Sequence, residues 1–388
     1  MKIREINLVQ FRNYERLTLR PKDGINLFFG KNGSGKTNLL EAIHYCALGK
    51  SHRINNDQNA IMNGYREASC ALDIQGRLSG FHIRLKLQPE EAVKKSVWID
   101  QKKVRKFSEM MGCFQCVIFS PEDLGLIREG PAVRRRFLDM MISQVNRKYF
   151  IALQQYRAAM EQRNAILRLC RQTGRKPDPA VEDFEAIMVS SAMTVTEERN
   201  RYAGMLTEKA AETYSAISGQ DREVFSMLYH SFLKDRDDPE SEYQKQLRES
   251  REDDIRQGIT TCGPHRDDLV FMLNRRNMKL YSSQGQIRTA ALGIKLSQLN
   301  ILQEISGDSP VLLLDDVMSE LDKGRRMRLL EKIGNTQTFI TCSDESDLDE
   351  FSESRVYDVY SEDGKGYIRE TGMKQETETE QITDPDFT

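Results

Sequence analysis

The octapeptide Gly30-Lys31-Asn32-Gly33-Ser34-Gly35-Lys36-Thr37 has the spacing G-x-x-x-x-G-K-[ST], the pattern of a phosphate-binding loop. Its glycines let the chain bend so that successive backbone N–H groups face nucleotide phosphates, and a helix opening at its end adds the positive pole of the helix dipole. Lys36 would reach the β and γ phosphates, and the Thr37 hydroxyl would bind Mg²⁺. Far downstream, Val311-Leu312-Leu313-Leu314-Asp315-Asp316 is an apolar run that ends in two acids. As a buried strand it would deliver both carboxylates to a sheet edge, where ligands bind in open α/β folds. Asp315 would hold Mg²⁺ through its water shell, and Asp316 would orient or deprotonate an attacking water. Taken alone, the two acids read equally as a helix N-cap at a strand end; the upstream loop makes them a phosphoryl-transfer pair.

For this chemistry the loop must join a buried strand to a helix. Ile25 to Phe29 is almost continuously apolar, as strands covered on both faces are, and Leu39, Leu40, Ile43, Ala47 and Leu48 recur at helical spacing up to Gly49, a residue favoured just past a helix end. Residues 1–29 predict short strands, and the period-two segments Phe81 to Leu87 and Val93 to Ile99 predict antiparallel sheet. From about 133 to 217 the period changes. Tyr149, Leu153, Tyr156, Met160 and Leu167 step at four, three, four and seven, as do Phe184, Met188, Ser191, Val195 and Tyr202, with the turn-rich Gly174 to Pro179 between. Two antiparallel helices follow, forming an inserted arm or a layer of an ordinary bundle. Lys234 to Asp254 is highly charged and predicts a solvated connection or helix face.

A third site sits on a helix that precedes the Asp315 strand. Ser283-Gln284-Gly285-Gln286 opens a segment with Ile287, Ala290, Ala291 and Ile294 on one face. Read locally, Ser283 is a helix cap. Placed before such a strand, S-x-G-Q resembles the signature motif of ATP-binding-cassette ATPases, and Ser319-Glu320-Leu321-Asp322 resembles their D-loop. In those ATPases the signature of one subunit covers the γ-phosphate held by the other, a role suited to a hydroxyl on a helix N-terminus. Phe11-Arg12-Asn13-Tyr14, Phe119-Ser120-Pro121-Glu122-Asp123-Leu124, Arg134-Arg135-Arg136-Phe137-Leu138-Asp139 and Gly263-Pro264-His265-Arg266-Asp267-Asp268-Leu269 narrow the match. Together these motifs resemble the RecF family of bacterial recombination mediators, over residues 1 to about 370.

That resemblance implies an α/β fold: a P-loop ABC-type ATPase lobe with an antiparallel β subdomain and an inserted, mainly helical second lobe, like the heads of SMC proteins without their long coiled coil. The expected division is 1–132 for the N-terminal part of the ATPase lobe, 133–254 for the helical lobe, 255–370 for the C-terminal part with signature, Walker B and D-loop, and 371–388 for a disordered tail. The tail is acidic, with five acids against one lysine. The implied cofactors are ATP and Mg²⁺, and the implied partners are gapped or single-strand/double-strand junction DNA, proteins of the RecR and RecO kind, and a second copy joined through ATP. Roles in repair, replication restart and the SOS response come with them. Gln115 is the candidate Q-loop glutamine, and Arg12, Asn13, His52 and Arg53 are candidates to line the nucleotide or to be plain surface polar residues. Transporter cassettes commonly carry Glu at the position of Asp316 and a His in the segment corresponding to Gln337 to Ser343. Both departures imply slow hydrolysis, with ATP as a timer. The alternatives are a cassette ATPase energising a membrane transporter and another SMC-like DNA-bridging ATPase.

Charge balance limits how DNA could be held. The 57 Lys+Arg against 59 Asp+Glu leave a net charge of −2, so no global positive field exists and contact must use local patches. Lys102, Lys103, Arg105 and Lys106 form one cluster, Arg134 to Arg136 a second, and Arg325, Arg326 and Arg328 a third; such runs also occur as solvated surface. Seven cysteines fit reduced thiols, and Cys113 and Cys116 sit in an apolar run that reads as buried strand rather than metal site. No apolar run approaches the roughly 18 residues of a membrane span. Lys2, Arg4 and Glu5 stand where a signal peptide would need apolar residues, which predicts a cytoplasmic protein without membrane partners.

Overall fold

A computed structural model describes residues 1–54, 56–91, 94–220, 222–233, 237–343 and 354–371. The hairpin β1 (Lys2–Phe11) and β2 (Tyr14–Leu19) precedes β3 (Ile25–Phe29) and the helix α1 (Lys36–Leu48). Then come β4 (Ala68–Gln75), β5 (Gly80–Leu87), β6 (Lys95–Ile99), β7 (Lys102–Lys103) and β8 (Cys116–Phe119). Three helices follow: α2 (Pro131–Ser143), α3 (Arg147–Thr173) and α4 (Ala180–Ser218). Past β9 (Phe225–His230), β10 (Asp268–Leu273) and β11 (Arg276–Asn277), the chain forms α5 (Gln284–Ser306), β12 (Val311–Leu314), α6 (Lys323–Ile333), β13 (Thr338–Cys342), β14 (Arg355–Glu362) and β15 (Lys365–Glu370).

The apolar runs make the central sheet, ordered β15-β14-β3-β13-β12-β8. Its core strands are parallel, with Leu27 beside Ile340, Leu314 beside Ile340, and Leu314 beside Phe119. Alternation along each strand divides the interior in two. Phe28, Leu313 and Phe339 face α1 and the antiparallel sheet β2-β1-β4-β5-β6-β7, whereas Leu27, Leu312, Leu314 and Ile340 face α2, α4 and α5. The sheet C-terminal ends of β3 and β12 therefore share one edge, with helices above and below.

The helical arm forms where the periodicity changes. Asn146 caps α3 by accepting from Tyr149 N–H, and left-handed Gly174 ends it. Tyr149, Leu153, Tyr156 and Leu167 are buried on α3, and Met188, Ser191, Val195 and Tyr202 on α4. The charged stretch expected as a solvated connection or helix face contains helices Pro239–Glu249 and Arg251–Gln257, mostly exposed but with Tyr243, Leu247 and Asp254 buried. Asp254 is held there by an ion pair to Arg163 at 2.7 Å, a partner the local sequence does not reveal. The line drawn at 254/255 also passes between β9 and β10, which are paired strands of one three-stranded sheet. Cys116 lies on β8 as expected, while Cys113 lies in the preceding turn, and none of the seven cysteines forms a disulfide. Residues 372–388, almost all of the expected acidic tail, and Val93 lie outside the described residues.

Candidate nucleotide site

The loop from Gly30 to Thr37 crosses from the end of β3 to the start of α1 and is braced from outside. Asn13 Nδ2 donates to Ser34 O at 2.8 Å, and Tyr14 OH donates to Gly35 O at 3.0 Å. Gly35 has φ +120°, and a Cβ there would lie 2.7 Å from Asn13 Nδ2, so both torsion and space demand glycine. Asn13 thus supports the loop, with its Oδ1 accepting from Asn38 Nδ2 at 2.9 Å. Lys31, Asn32 and Gly33 are exposed, and Gly33 has φ +83° with open space around it. Ser34 Oγ is buried without a hydrogen-bond partner. The first turn of α1 has no side-chain cap and no acid, so its N–H groups and dipole remain for an anion.

Lys36 crosses the loop, its Nζ donating to Gly30 O at 2.6 Å and Lys31 O at 3.0 Å. Burial pulls its pKa down, and Asp316, Cys342 and Asp315 act in the opposite direction. The next residue reaches the other half of the site: Thr37 Oγ1 donates to Asp315 Oδ1 at 2.9 Å across 278 residues of sequence. Asp315 is buried, which raises its pKa against the lowering effect of the Thr341 and Thr37 hydroxyls. Asp316 follows in a left-handed turn, φ +52°, a conformation that Asp tolerates better than Glu does. The loop's orphaned Ser34 hydroxyl, the positive φ of Gly33 and Gly35 and the uncapped helix fit a nucleotide's phosphates. Thr37 and Asp315, two oxygen donors side by side, fit Mg²⁺.

Other expected residues lie elsewhere. Gln115 stands before the first residue of β8, whereas Asp315 N–H bonds to Phe119 O at the opposite end. It is buried and donates through Nε2 to Gln144 O at 3.3 Å. The Q-loop role therefore does not fit Gln115; strand direction puts Ser120 to Asp123 at the site's edge instead. Arg12 is committed to the buried Glu41 of α1 through two bonds, Nε at 2.8 Å and Nη2 at 2.9 Å. His52 is largely buried with neither ring nitrogen bonded, and burial together with Arg53 pushes its pKa down to about 3. Arg53 is exposed, its Nη1 3.9 Å from Glu41 Oε2.

The signature segment forms a capping box, in which Ser283 Oγ accepts from Gln286 N–H and Gln286 Oε1 accepts from Ser283 N–H at 2.9 Å. Gln286 Nε2 also donates to Glu223 Oε1 at 2.6 Å. Ser283 is exposed, Gly285 half-buried, and among the described residues neither bonds to the phosphate loop of its own chain.

The basic clusters separate sharply. Lys102, Lys103, Arg105 and Lys106 are all exposed around the edge strand β7, a placement that also guards a sheet edge against pairing. Arg134 is 7% exposed and grips Asp268 with Nε at 2.7 Å and Nη2 at 3.0 Å. Arg135 donates to Asp267 O at 2.7 Å, and Arg136, the exposed member, reaches Ser51 O at 3.5 Å. The second cluster is mostly internal structure, because Asp268 and the Asp267 carbonyl, more than a hundred residues away, hold Arg134 and Arg135. In the third, Arg328 donates to Ile217 O and Arg325 pairs with Asp322.

Thr341 was not legible from sequence. It is fully buried at the end of β13 and bonds to both acids, and a lone threonine in an apolar strand carries no signal of that role. Among the described residues no helix is long and apolar enough to cross a membrane, and no group of three or more His, Cys, Asp or Glu side chains is placed to hold a metal.

The RecF/RecN/SMC N terminal domain family matches residues 2–366. The DNA replication and repair protein RecF of Clostridium novyi is 37% identical over 356 residues, covering 92% of this chain and 97% of that protein. The RecF of Lactobacillus delbrueckii subsp. bulgaricus is 38% identical over 375 residues, covering 94% and 96%. A solved structure of the recombination mediator protein RecF-ATP in the RecFOR pathway superposes with a TM-score of 0.86 at 32% identity, over 95% of this chain and 97% of that one. An Smc head domain from Pyrococcus furiosus shares the fold, with a TM-score of 0.55 at 17% identity over 95% and 96%.

Proposed function

Because this chain belongs to the RecF family, we propose that it binds and slowly hydrolyses ATP, dimerises through the nucleotide, and grips DNA at gaps or single-strand/double-strand junctions during repair. The observation that carries this reading is the meeting of Thr37 and Asp315 at 2.9 Å beside the phosphate loop. Gly30 to Thr37 would cradle the phosphates, and Lys36 would neutralise charge on the β and γ groups. Thr37 and Asp315 would hold Mg²⁺, which neutralises phosphate charge when bound. Asp316 would orient the attacking water and accept its proton.

The topology supports dimerisation. α5 leads into β12 through a short turn and packs against Leu312 and Leu314, so its N-terminus lies at the Asp315 end of the sheet. α1 packs on the other face, against Leu313 and Phe339. With the sheet between them, Ser283 and Gly285 are suited to a nucleotide held by a second copy. The family further suggests partners of the RecR and RecO kind, a cytoplasmic location, and roles in replication restart and the SOS response. Lys102, Lys103, Arg105 and Lys106 are the exposed cluster best suited to DNA phosphates, with Arg136 as the accessible remnant of the second.

Sedimentation with ATP, with ADP, and with a gapped duplex tests this. A dimer is expected with ATP but not ADP. Ser283→Arg should bind ATP and stay monomeric, and DNA affinity should fall with salt by a slope of about 0.9 per phosphate contact. A Ser283→Arg protein that dimerises normally refutes the shared site.

A further inference from the structure

β13 ends beside β12, and its last hydroxyls are aimed at both acids. Thr341 Oγ1 donates to Asp315 Oδ1 at 2.8 Å and accepts the N–H of Asp316 at 2.9 Å. Two residues on, Ser343 Oγ lies 3.4 Å from Asp316 Oδ1 as a longer donor. A hydroxyl has one proton and two lone pairs, so Thr341 spends its proton on one acid and a lone pair on the backbone of the next. That second bond holds the left-handed turn from which the Asp316 carboxylate projects. On Asp315, Thr37 and Thr341 both donate to Oδ1, and Oδ2 accepts no hydrogen bond from the described residues. The carboxylate is thereby oriented without having its charge cancelled.

We propose that Thr341 is a positioning residue for nucleotide hydrolysis: through one hydroxyl it orients Asp315 toward Mg²⁺ and fixes the backbone turn that aims Asp316. The inference rests on the hydrolytic reading above and adds to it a residue that acts only through the two acids. β13 is an interior strand between β3 and β12, where valine keeps the branched shape of threonine and suits the strand. Thr341→Val removes both bonds, while Thr341→Ser keeps the hydroxyl that makes them.

The test measures ATP affinity in EDTA and in Mg²⁺, phosphate release in single turnover, and the melting temperature, for the wild type and both variants. Thr341→Val should bind ATP in EDTA within about twofold of wild type, since the phosphate loop is untouched. It should lose the gain in affinity that Mg²⁺ confers and release phosphate about ten- to a hundredfold more slowly, the scale of a lost hydrogen bond to a charged group. Thr341→Ser should recover both. A wild-type Mg²⁺ response in Thr341→Val overturns the proposal. So does a loss of Mg²⁺-independent binding and thermal stability that serine fails to rescue, because it would make Thr341 a packing residue. A wild type that never releases phosphate refutes hydrolysis itself, and the Mg²⁺ response of binding still decides the role of Thr341.

Discussion

Asp267-Asp268 and Asp315-Asp316 are the same dipeptide, each beside a strand, and their surroundings differ in kind. Asp267 is buried against Arg199 Nη1 at 3.0 Å, Tyr229 OH at 2.5 Å and Phe232 N–H at 2.8 Å. Asp268 takes the fork of Arg134, and Arg199 also grips Asp139 on α2 at 2.8 Å. Among the described residues no lysine or arginine bridges Asp315 or Asp316; hydroxyls of Thr37, Thr341 and Ser343 hold them. A guanidinium cancels a carboxylate's charge and leaves nothing for an ion, whereas a hydroxyl satisfies a lone pair and leaves the charge in place. The first pair of acids joins α2, α4 and the 263–268 turn. The second is left able to attract a cation, at the cost of burying Asp315 without an ion-pair contact among the described residues, Lys36 and Arg53 acting on it only through space.

Breaking the first cluster should have the largest effect. Arg199→Met leaves Asp139 and Asp267 buried without their shared partner, a loss of about 3–5 kcal/mol. Calorimetry should show a large drop in melting temperature or no folded protein. A near-normal melt would mean that the Asp267 cluster is as dispensable to the fold as a surface pair.

Asp316→Asn attacks the second cluster without touching the first. Phosphate release should slow by at least about a hundredfold, since an amide is a poor base. ATP binding and melting temperature should stay near wild type, and the ATP dimer should persist. Unchanged single-turnover release would remove Asp316 from the chemistry and erase the contrast between the two pairs of acids.

Asp315→Asn gives the smallest effect and the finest test. Burial holds the Asp315 pKa above its usual value near 3.8, so the fold disfavours the ionised form that an unfolded chain adopts freely. Stability lost to this carboxylate therefore appears as pH rises through the window above 3.8 and is absent below it. The asparagine, still able to accept from Thr37 and Thr341, should be more stable than wild type at pH 7 by on the order of 1 kcal/mol. Below about pH 4 the two should melt alike, and Mg²⁺ should no longer strengthen ATP binding. Equal melts at pH 7 would show that the two hydroxyls fully offset the burial of the charge.

Much of the site could be read from residues adjacent in the chain. The phosphate loop, the run into Asp315 and the Ser283 cap are contiguous, and each makes its local structure through spacing alone. The signature's capping box spans four residues, and the arm's seven-residue steps report the faces that α3 and α4 bury. Misreadings arose where meaning depends on a distant partner. Arg134 and Lys102 both belong to basic runs, but an aspartate 134 residues away removes one from the surface. Asp254 lies in a charged stretch and is nonetheless buried, through Arg163 on another helix. Gln115 has the right type near the right strand, and lies at the wrong end because β8 runs parallel to β12.

Spacing along the chain specifies the phosphate loop, the apolar strands that carry its partner acids, the two long antiparallel helices and the family, since each depends on neighbours within one turn, strand or heptad. Tertiary structure decided which charges are spent internally, which end of a strand meets the nucleotide, and that Thr341 joins the two acids. The physical reason is the reach of the interactions. A hydrogen bond extends about 3 Å, and which groups come within it across hundreds of residues follows from strand order, direction and register. The order β3-β13-β12 places Thr37 and Thr341 on one carboxylate, an arrangement that no local pattern in the chain encodes.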